Sequence, residues 1–144
     1  MKNQLFDLTK KVSLITGGNG GIGLGMAKGL ASCGSDIAII GRNLEKNSKA
    51  KEELSEFDVR VEAYSIDVSN EEDVKKTVLN VVNDFGRIDA VFANAGMNLY
   101  GGSFEDMDTD VYRKVLAVNL DGVFFTLREV CKHMVERAKK GDPG

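Results

Sequence analysis

Residues 14–23 read LITGGNGGIG, and five of these ten residues are glycine. Glycine loses more backbone freedom on folding than any other residue, so this concentration indicates a flexible linker or a close approach to the backbone. The preceding run VSLIT (12–16) predicts a β-strand, and apolar residues from Ile22 to Ala31 recur at helical spacing. The stretch therefore predicts a strand-to-helix turn, where a nucleotide phosphate meets a helix N-terminus in doubly wound sheets.

Strand and helix patterns alternate along the rest of the chain. Further strands are predicted at 36–40, 60–66 and 88–94, and helices over 44–57, 74–85 and 111–139. Ser69 and Glu72 predict a capping box before the third helix. The order βαβαβαβα indicates an α/β fold with a Rossmann-type, doubly wound parallel sheet that stops after the fourth strand and its helix.

Composition argues against several classes of protein. The net charge of -3 and the pI of about 5.2 give no basic surface for nucleic acid. The sequence has no apolar run of 18 residues and no signal-peptide pattern, which predicts a cytoplasmic protein without a membrane partner. Cys33 and Cys131 are predicted to be buried free thiols, and His133 is predicted to lie on the surface. No Cys, His and Asp residues have the spacing of metal ligands, so no metal site is predicted.

The glycine stretch fits two patterns in different registers. Gly18, Gly20 and Gly23 match G-x-G-x-x-G, which is weak alone but here has the required strand–turn–helix context. Residues 16–23 also spell T-G-x-x-x-G-x-G. A P-loop is excluded because no Gly-Lys-Ser/Thr follows, and a tight turn without a ligand remains the alternative.

The second register is one of several motifs by which the chain resembles the short-chain dehydrogenase/reductase family. IDV (66–68) is similar to the family's Asp-Val after the third strand, and ANAG (93–96) is similar to its N-N-A-G, with Ala93 where Asn is usual. VNLDGVFF (118–125) resembles the motif of its long helix. The resemblance covers nearly the whole chain. It implies that residues 1–144 are a single dinucleotide-binding domain, the N-terminal part of a longer family domain.

The resemblance also implies which residues of the glycine turn bind the cofactor. Gly17, Gly21 and Gly23 shape the turn. Ile22 donates its backbone N–H to the pyrophosphate, while its side chain is expected in the core. Asn19 is expected near the adenosine ribose, with an ordinary turn asparagine as the alternative.

The end of the second strand determines which cofactor is preferred. An acidic residue there binds the ribose diol of NAD, but this chain has Gly41 followed by Arg42 and Asn43. A guanidinium can hold a 2′-phosphate with two hydrogen bonds, so NADP(H) is predicted, with NAD as the alternative. Two observations count against this prediction. Some NADP-preferring relatives have a second basic residue where this chain has Gly20, and Arg42 is alternatively a solvated surface residue.

The remaining cofactor contacts are likewise implied by the resemblance. Asp67 accepts a hydrogen bond from the adenine amino group, and Val68 supplies backbone contacts. Asn94, Ala95 and Gly96 run beneath the nicotinamide ribose, where small residues keep the cleft open.

Catalysis is only partly accounted for by this sequence. By resemblance, Asn119 is the asparagine of an Asn-Ser-Tyr-Lys tetrad and holds a water in a proton relay; an interior asparagine bonded to the backbone is the alternative. The chain has no Tyr-x-x-x-Lys, because Tyr64, Tyr100 and Tyr112 are followed four residues later by Val68, Phe104 and Leu116. The tetrad serine, expected after a fifth strand, is absent as well.

The sequence therefore predicts the N-terminal half of a short-chain oxidoreductase that acts on a small carbonyl or alcohol substrate. Its start resembles gluconate 5-dehydrogenases and 2-deoxygluconate dehydrogenases. The 144-residue chain alone is predicted to be inactive, and the resemblance implies that the long helix packs against a second copy in a homo-oligomer, a dimer or tetramer. The alternatives are a dinucleotide-binding module without catalysis and a methyltransferase-like domain, which Gly41 and Arg42 disfavour.

Overall fold

The four predicted strands form one parallel sheet. The computed structural model describes residues 4–98 and 102–143, so Tyr100 and the extreme ends of the predicted domain lie outside the described residues. The strands are β1 (Val12–Thr16), β2 (Asp36–Ile40), β3 (Val61–Tyr64) and β4 (Ala90–Ala93), in the sheet order β3-β2-β1-β4. All the pairings between them are parallel. The predicted Rossmann-type α/β fold is confirmed.

Helices connect the strands and cover the sheet. They are α1 (Gly21–Ser32), α2 (Leu44–Leu54), α3 (Glu71–Phe85), α4 (Thr109–Leu116) and α5 (Gly122–Lys139), with 3₁₀ turns at Gln4–Phe6 and Phe104–Asp106. The prediction of one helix over 111–139 needs a correction, because a π-helical turn, Ala117–Asp121, separates α4 from α5. Such turns accommodate an extra residue in a helix and often occur at functional sites.

The core lies on both faces of the sheet. Neighbouring side chains of a strand point to opposite faces, so Leu14 and Ile15 of β1 join two different clusters. Leu14 packs with α3 and α5, and Ile15 packs with α1 and α2. Every residue of β1 is buried, including the polar Ser13 and Thr16, which explains why its sequence does not alternate between apolar and exposed polar residues.

The strand order determines where a ligand can bind. β1 lies between β2 and β4, so the chain crosses from one side of β1 to the other between β3 and β4. Ligands of open parallel sheets bind at such a reversal, outside the carboxyl ends of the strands.

Helix α1 differs from its sequence-based prediction in the residues that it buries. The side chain of Ile22, expected in the core, is 75% exposed. The buried residues of α1 are instead Gly23, Ala27 and Ala31, spaced by four. Ile22 precedes this stripe and therefore points away from the sheet.

The predicted capping box of α3 is wrong. Asn70 is the N-cap residue, and its Oδ1 accepts hydrogen bonds from the backbone N–H groups of Glu72 at 3.1 Å and Asp73 at 3.2 Å. Because α3 begins at Glu71, Ser69 is one residue too early to cap it. The Ser69 hydroxyl instead donates to Asp67 Oδ1 at 2.7 Å.

The predicted exposure of His133 and of the two cysteines also needs correction. His133, predicted on the surface, is partly buried, and its Nε2 accepts a hydrogen bond from the Ile88 N–H at 3.2 Å. Both cysteines are free, as predicted, but Cys131 is exposed and Cys33 only partly buried.

None of the helices in the described part of the chain has the length and apolar character needed to cross a membrane. The described residues also contain no group of three or more potential metal ligands arranged around one point.

Candidate dinucleotide-binding cleft

A cleft opens at the carboxyl ends of the strands. It consists of two adjoining cavities of about 280 and 420 Å³, which share Gly17, Asn19, Lys46, Ala95 and Gly96. The twelve residues that the sequence assigned to cofactor binding all line it: Gly17, Asn19, Gly21, Ile22, Gly23, Arg42, Asn43, Asp67, Val68, Asn94, Ala95 and Gly96. Residues from distant parts of the sequence thus meet around one cavity system.

The glycine turn places the start of α1 at the cleft. The N-cap residue, Gly20, has no side chain to bond the first turn, and the first bond into the helix is from Leu24 N–H to Gly20 O at 3.1 Å. The N–H groups of Gly21, Ile22 and Gly23 therefore have no acceptor in the described part of the chain. Free N–H groups at a helix N-terminus, together with the helix dipole, make an anion site.

Gly23 is required by close packing rather than by its backbone angles. A Cβ atom built at this position lies 2.6 Å from Asn94 Nδ2 and overlaps the carbonyl oxygen of Gly17. The first turn of α1 can therefore lie against the glycine turn and the end of β4 only without a side chain at this position.

Hydrogen bonds tie the glycine turn to the loop after β4. Asn94 Nδ2 donates to Thr16 O at 3.1 Å, and the Ala95 N–H donates to Thr16 Oγ1 at 2.9 Å. Thr16 is almost completely buried, so these bonds are shielded from water. They fix the two walls of the cleft relative to each other.

The opposite end of the cleft is polar and charged. Arg42 and Asp67 form an exposed ion pair with 3.5 Å between Nη1 and Oδ2. Partial burial opposes ionisation of Asp67, but the hydrogen bonds from Ser69 and the charge of Arg42 outweigh it and lower the pKa of the carboxyl group. Asp67 is thus an anion at neutral pH.

Asn43 and Val68, at the same end of the cleft, have structural contacts of their own. Asn43 is the N-cap residue of α2, and its Oδ1 accepts from the Lys46 N–H at 2.9 Å. Val68 is buried, and a Cβ atom built on Gly122 lies 2.8 Å from its Cγ2. Each residue therefore supports a helix as well as lining the cleft.

Asn119 lies in the π-helical turn and next to the cleft rather than in its lining. Its Oδ1 accepts from the Met97 N–H at 2.8 Å, and its Nδ2 donates to Met97 O at 2.9 Å. A Cβ atom built on Gly96 lies 3.5 Å from Asn119 Oδ1, which places the amide directly behind the lining at this end. Asn119 therefore fixes the loop after β4.

Sequence reasoning missed several residues of the cleft lining. They are Ile40, Lys46, Ile66 and Val118, while Gly20 and Gly41, which the sequence analysis discussed without assigning them a contact, also line the cleft. Lys46 is chemically the most informative, because its ammonium has no ion-pair partner among the described residues. The signal for it was present: Lys46 follows the N-cap Asn43 by three residues, so it lies in the first turn of α2, where that helix borders the cleft.

Comparison with known proteins places this arrangement in a family. The profile described as short chain dehydrogenase matches residues 11–142. The chain belongs to the short chain dehydrogenase family. Members include the sorbose reductase sou1 of Schizosaccharomyces pombe, which is 36% identical over 94% of this chain and 54% of its own length. An NADP-dependent mannitol dehydrogenase of Alternaria alternata is 37% identical over 92% of this chain and 51% of its own length.

Solved structures of family members agree with the fold. An NAD+-bound xylitol dehydrogenase superposes with a TM-score of 0.88 at 38% identity, over 90% of this chain and 50% of that chain. A metagenomic short-chain oxidoreductase in complex with NADP gives a TM-score of 0.85 at 27% identity, over 90% of this chain and 59% of that chain. The chain thus spans about half the length of the short chain dehydrogenases that it matches, and the two solved structures contain NAD+ and NADP, respectively.

Proposed function

We propose that the chain is the cofactor-binding part of an NADP(H)-dependent oxidoreductase. Residues 1–144 would form one dinucleotide-binding domain, the N-terminal part of a longer catalytic domain. The observation that carries this proposal is the cleft, where the free N–H groups of α1 and the unpaired ammonium of Lys46 belong to residues lining the same cavity. When bound, NADP supplies hydride transfer at its nicotinamide C4.

The residues around the cleft fit the central and nicotinamide parts of the cofactor. The N–H groups of Gly21 and Ile22 would donate to the pyrophosphate, and Gly23, which has no side chain, lets the start of α1 pack against the glycine turn. Asn94, Ala95 and Gly96 would lie beneath the nicotinamide ribose. Asn119 would act in the proton relay of the complete enzyme while its amide holds the Met97 backbone.

The adenosine end favours NADP over NAD. The residue after β2 is Gly41, so no carboxylate is present there to accept from a ribose diol or to repel a 2′-phosphate. Arg42 and Lys46 both line this cavity and would bind the phosphate, which compensates for the lack of a basic residue at Gly20. The exposed Arg42–Asp67 pair contributes little by itself, so Arg42 remains available, and Asp67 would accept from the adenine amino group.

The relatives supply the proposed substrate class. Their names specify sorbose, mannitol and xylitol, which are a ketose and two polyols. We therefore propose a carbonyl or alcohol group of a small polyhydroxylated molecule, including the sugar acids that the sequence resemblance suggested. The tyrosine, lysine and serine of the reaction lie outside this chain, which alone would not turn over substrate.

The surface formed by α4, the π-helical turn and α5 supports the proposed homo-oligomer. It exposes a row of apolar side chains at helical spacing: Tyr112, Leu120, Phe124, Leu127 and Val135. Such a face is suited to association with a second copy in a cytoplasmic protein.

Binding of both cofactors to the full-length gene product tests the proposal. We expect NADPH to bind at least about tenfold more tightly than NADH by isothermal titration calorimetry, and to support reduction of a ketose or sugar acid. Binding of neither dinucleotide would overturn the proposal. A cleft of this kind in a chain without Tyr-x-x-x-Lys also suits a dinucleotide-binding module without catalysis. Dinucleotide binding by a protein that turns over no polyol, ketose or sugar acid would favour this second function.

A further inference from the structure

A buried amide on α2 joins three parts of the cleft. Asn47 is 4% exposed, and its Nδ2 donates to Gly41 O at 2.9 Å and to Tyr64 O at 3.4 Å. Its Oδ1 accepts from Asn19 Nδ2 at 2.6 Å. The amide thus connects the ends of β2 and β3 to the glycine turn.

The chemistry of these partners fixes the orientation of both amides. The two backbone carbonyls can only accept, so Nδ2 of Asn47 must face them and its Oδ1 must face Asn19. Asn19 must then present its own Nδ2 to Asn47. Reversing either amide would place two acceptors or two donors against each other and leave these polar groups without a partner.

The held Asn19 side chain occupies the space beside Gly41. A Cβ atom built on Gly41 lies 2.5 Å from Asn19 Cγ and 2.7 Å from Asn47 Oδ1, and still closer to Asn19 Nδ2. A side chain at position 41 therefore requires Asn19 to move. The same Cβ atom also meets Asn47 Oδ1, which the hydrogen bonds of its amide hold in place.

We propose that Asn47 is a positioning residue for cofactor selection: by holding Asn19 over Gly41, it closes the position from which a carboxylate would read the ribose diol of NAD. Selection of NADP then depends on Gly41, Asn19 and Asn47 together, and not on residue 41 alone. This inference rests on the proposed function, because it presupposes that the cleft binds a dinucleotide.

A double-mutant cycle on the full-length protein tests this coupling. Gly41→Asp alone should weaken NADPH at least tenfold without tightening NADH, because Asn19, which Asn47 holds, occupies the space that the new side chain needs. Adding Asn19→Ala removes Cγ and Nδ2 and should tighten NADH about tenfold relative to Gly41→Asp. Isothermal titration calorimetry with NADPH and NADH gives both dissociation constants for each variant.

Two further variants separate positioning from general structural damage. Gly20→Asp places the same charge in the glycine turn, where a Cβ atom has no neighbour within 4 Å, so Asn19→Ala should not restore NADH binding to it. Asn47→Ser combined with Gly41→Asp should restore NADH binding as Asn19→Ala does; if this variant fails to fold, the Asn19 cycle still decides.

The outcomes distinguish this inference from the proposed function. Tighter NADH binding by Gly41→Asp alone, or additive effects of Gly41→Asp and Asn19→Ala on NADH, would overturn the positioning role while leaving NADP(H) binding intact. A wild-type protein that binds neither dinucleotide would overturn both.

Discussion

Charged residues have opposite roles at the two ends of the strands. We call the end at which the strands begin the amino edge of the sheet, and the end at which they finish the carboxyl edge. At the amino edge, the Asp89 carboxylate is 6% exposed and accepts from the Val12 N–H at 2.9 Å and from Arg87 at 2.8 and 2.5 Å. At the carboxyl edge, Arg42 and Asp67 are 3.5 Å apart and exposed, and Lys46 has no ion-pair partner in the described part of the chain.

The pKa values show the same contrast. Burial opposes ionisation of Asp89, but the hydrogen bonds from Arg87 and the Val12 backbone outweigh it and lower its pKa to about 2. The nearly buried Arg137 donates to Ile88 O at 2.8 Å and lies 3.4 Å from Asp89. Charges that are buried and fully paired stabilise the fold, whereas charges left exposed and loosely paired are available to a ligand. The predictions below test this division.

Replacing Asp89 should have the largest effect on stability. Asp89→Ala removes the acceptor of the Val12 N–H and leaves Arg87 and Arg137 with only the exposed Asp142 as an acidic partner, and losing these charged hydrogen bonds costs about 3 kcal/mol or more in sum. We expect that loss in the free energy of unfolding, measured with urea, and an unchanged affinity for NADPH. The matched control is Asp67→Ala, which should cost less than about 1 kcal/mol because its ion pair is exposed. Equal losses in the two variants would contradict the division.

Gly23 provides a sharper test at the cleft itself. Gly23→Ala introduces a Cβ atom into the Gly17 carbonyl and Asn94, and overpacking of this kind costs about 1–3 kcal/mol. The shifted turn should weaken NADPH and NADH alike. Gly25→Ala, two residues later on α1, meets nothing within 4 Å and should stabilise the helix by up to about 1 kcal/mol. If Gly23→Ala left the affinities for both dinucleotides unchanged, the glycine turn would not be part of the cofactor site.

How much of this could be predicted depends on whether the determining contacts are local. β1 and the start of α1 follow from an apolar run and a glycine turn within twelve residues, and the structure places both as expected. The exposure of Ile22 could not be read in this way, since it depends on which face of α1 packs on the sheet. Similarly, the π-helical turn interrupts a pattern that is helical on both sides.

Side-chain networks between distant elements could not be predicted from the sequence. Asp89 is 77 residues from Val12, and Asn47 is 28 residues from Asn19, so neither bond leaves a local pattern. Lys46 and Asn47 are adjacent, yet one lines the cleft and the other is buried behind it. Only the rotation of α2 about its axis, set by packing of Ala50 and Leu54, decides between them.

The exposed cations should affect affinity and not stability. Arg42→Ala should weaken NADPH by about 1–3 kcal/mol, the range for losing hydrogen bonds to a charged group, and leave NADH nearly unchanged. Lys46→Ala should weaken NADPH less, because a flexible ammonium provides a point charge without paired donors. Lys49→Ala is the control, as this exposed lysine of α2 does not line the cleft. Equal weakening of both cofactors by Arg42→Ala would exclude a 2′-phosphate contact.

The smallest effect should come from His133, at the amino edge. Burial lowers its pKa, with a further contribution from Arg137 that the carboxylates of Asp89 and Asp142 partly oppose. Its Nε2 accepts from the Ile88 N–H, so it must stay neutral in the folded protein. The unfolded chain therefore binds this proton more readily, and stability should fall as the pH drops below the ordinary histidine pKa of about 6.5.

His133→Gln isolates this effect, because the amide oxygen of glutamine can accept from the Ile88 N–H but does not titrate. Between pH 7 and pH 5 the wild-type protein should lose more unfolding free energy than the variant, measured with urea at each pH. If the stability of both proteins depends on pH in the same way, the pKa of His133 does not change on folding.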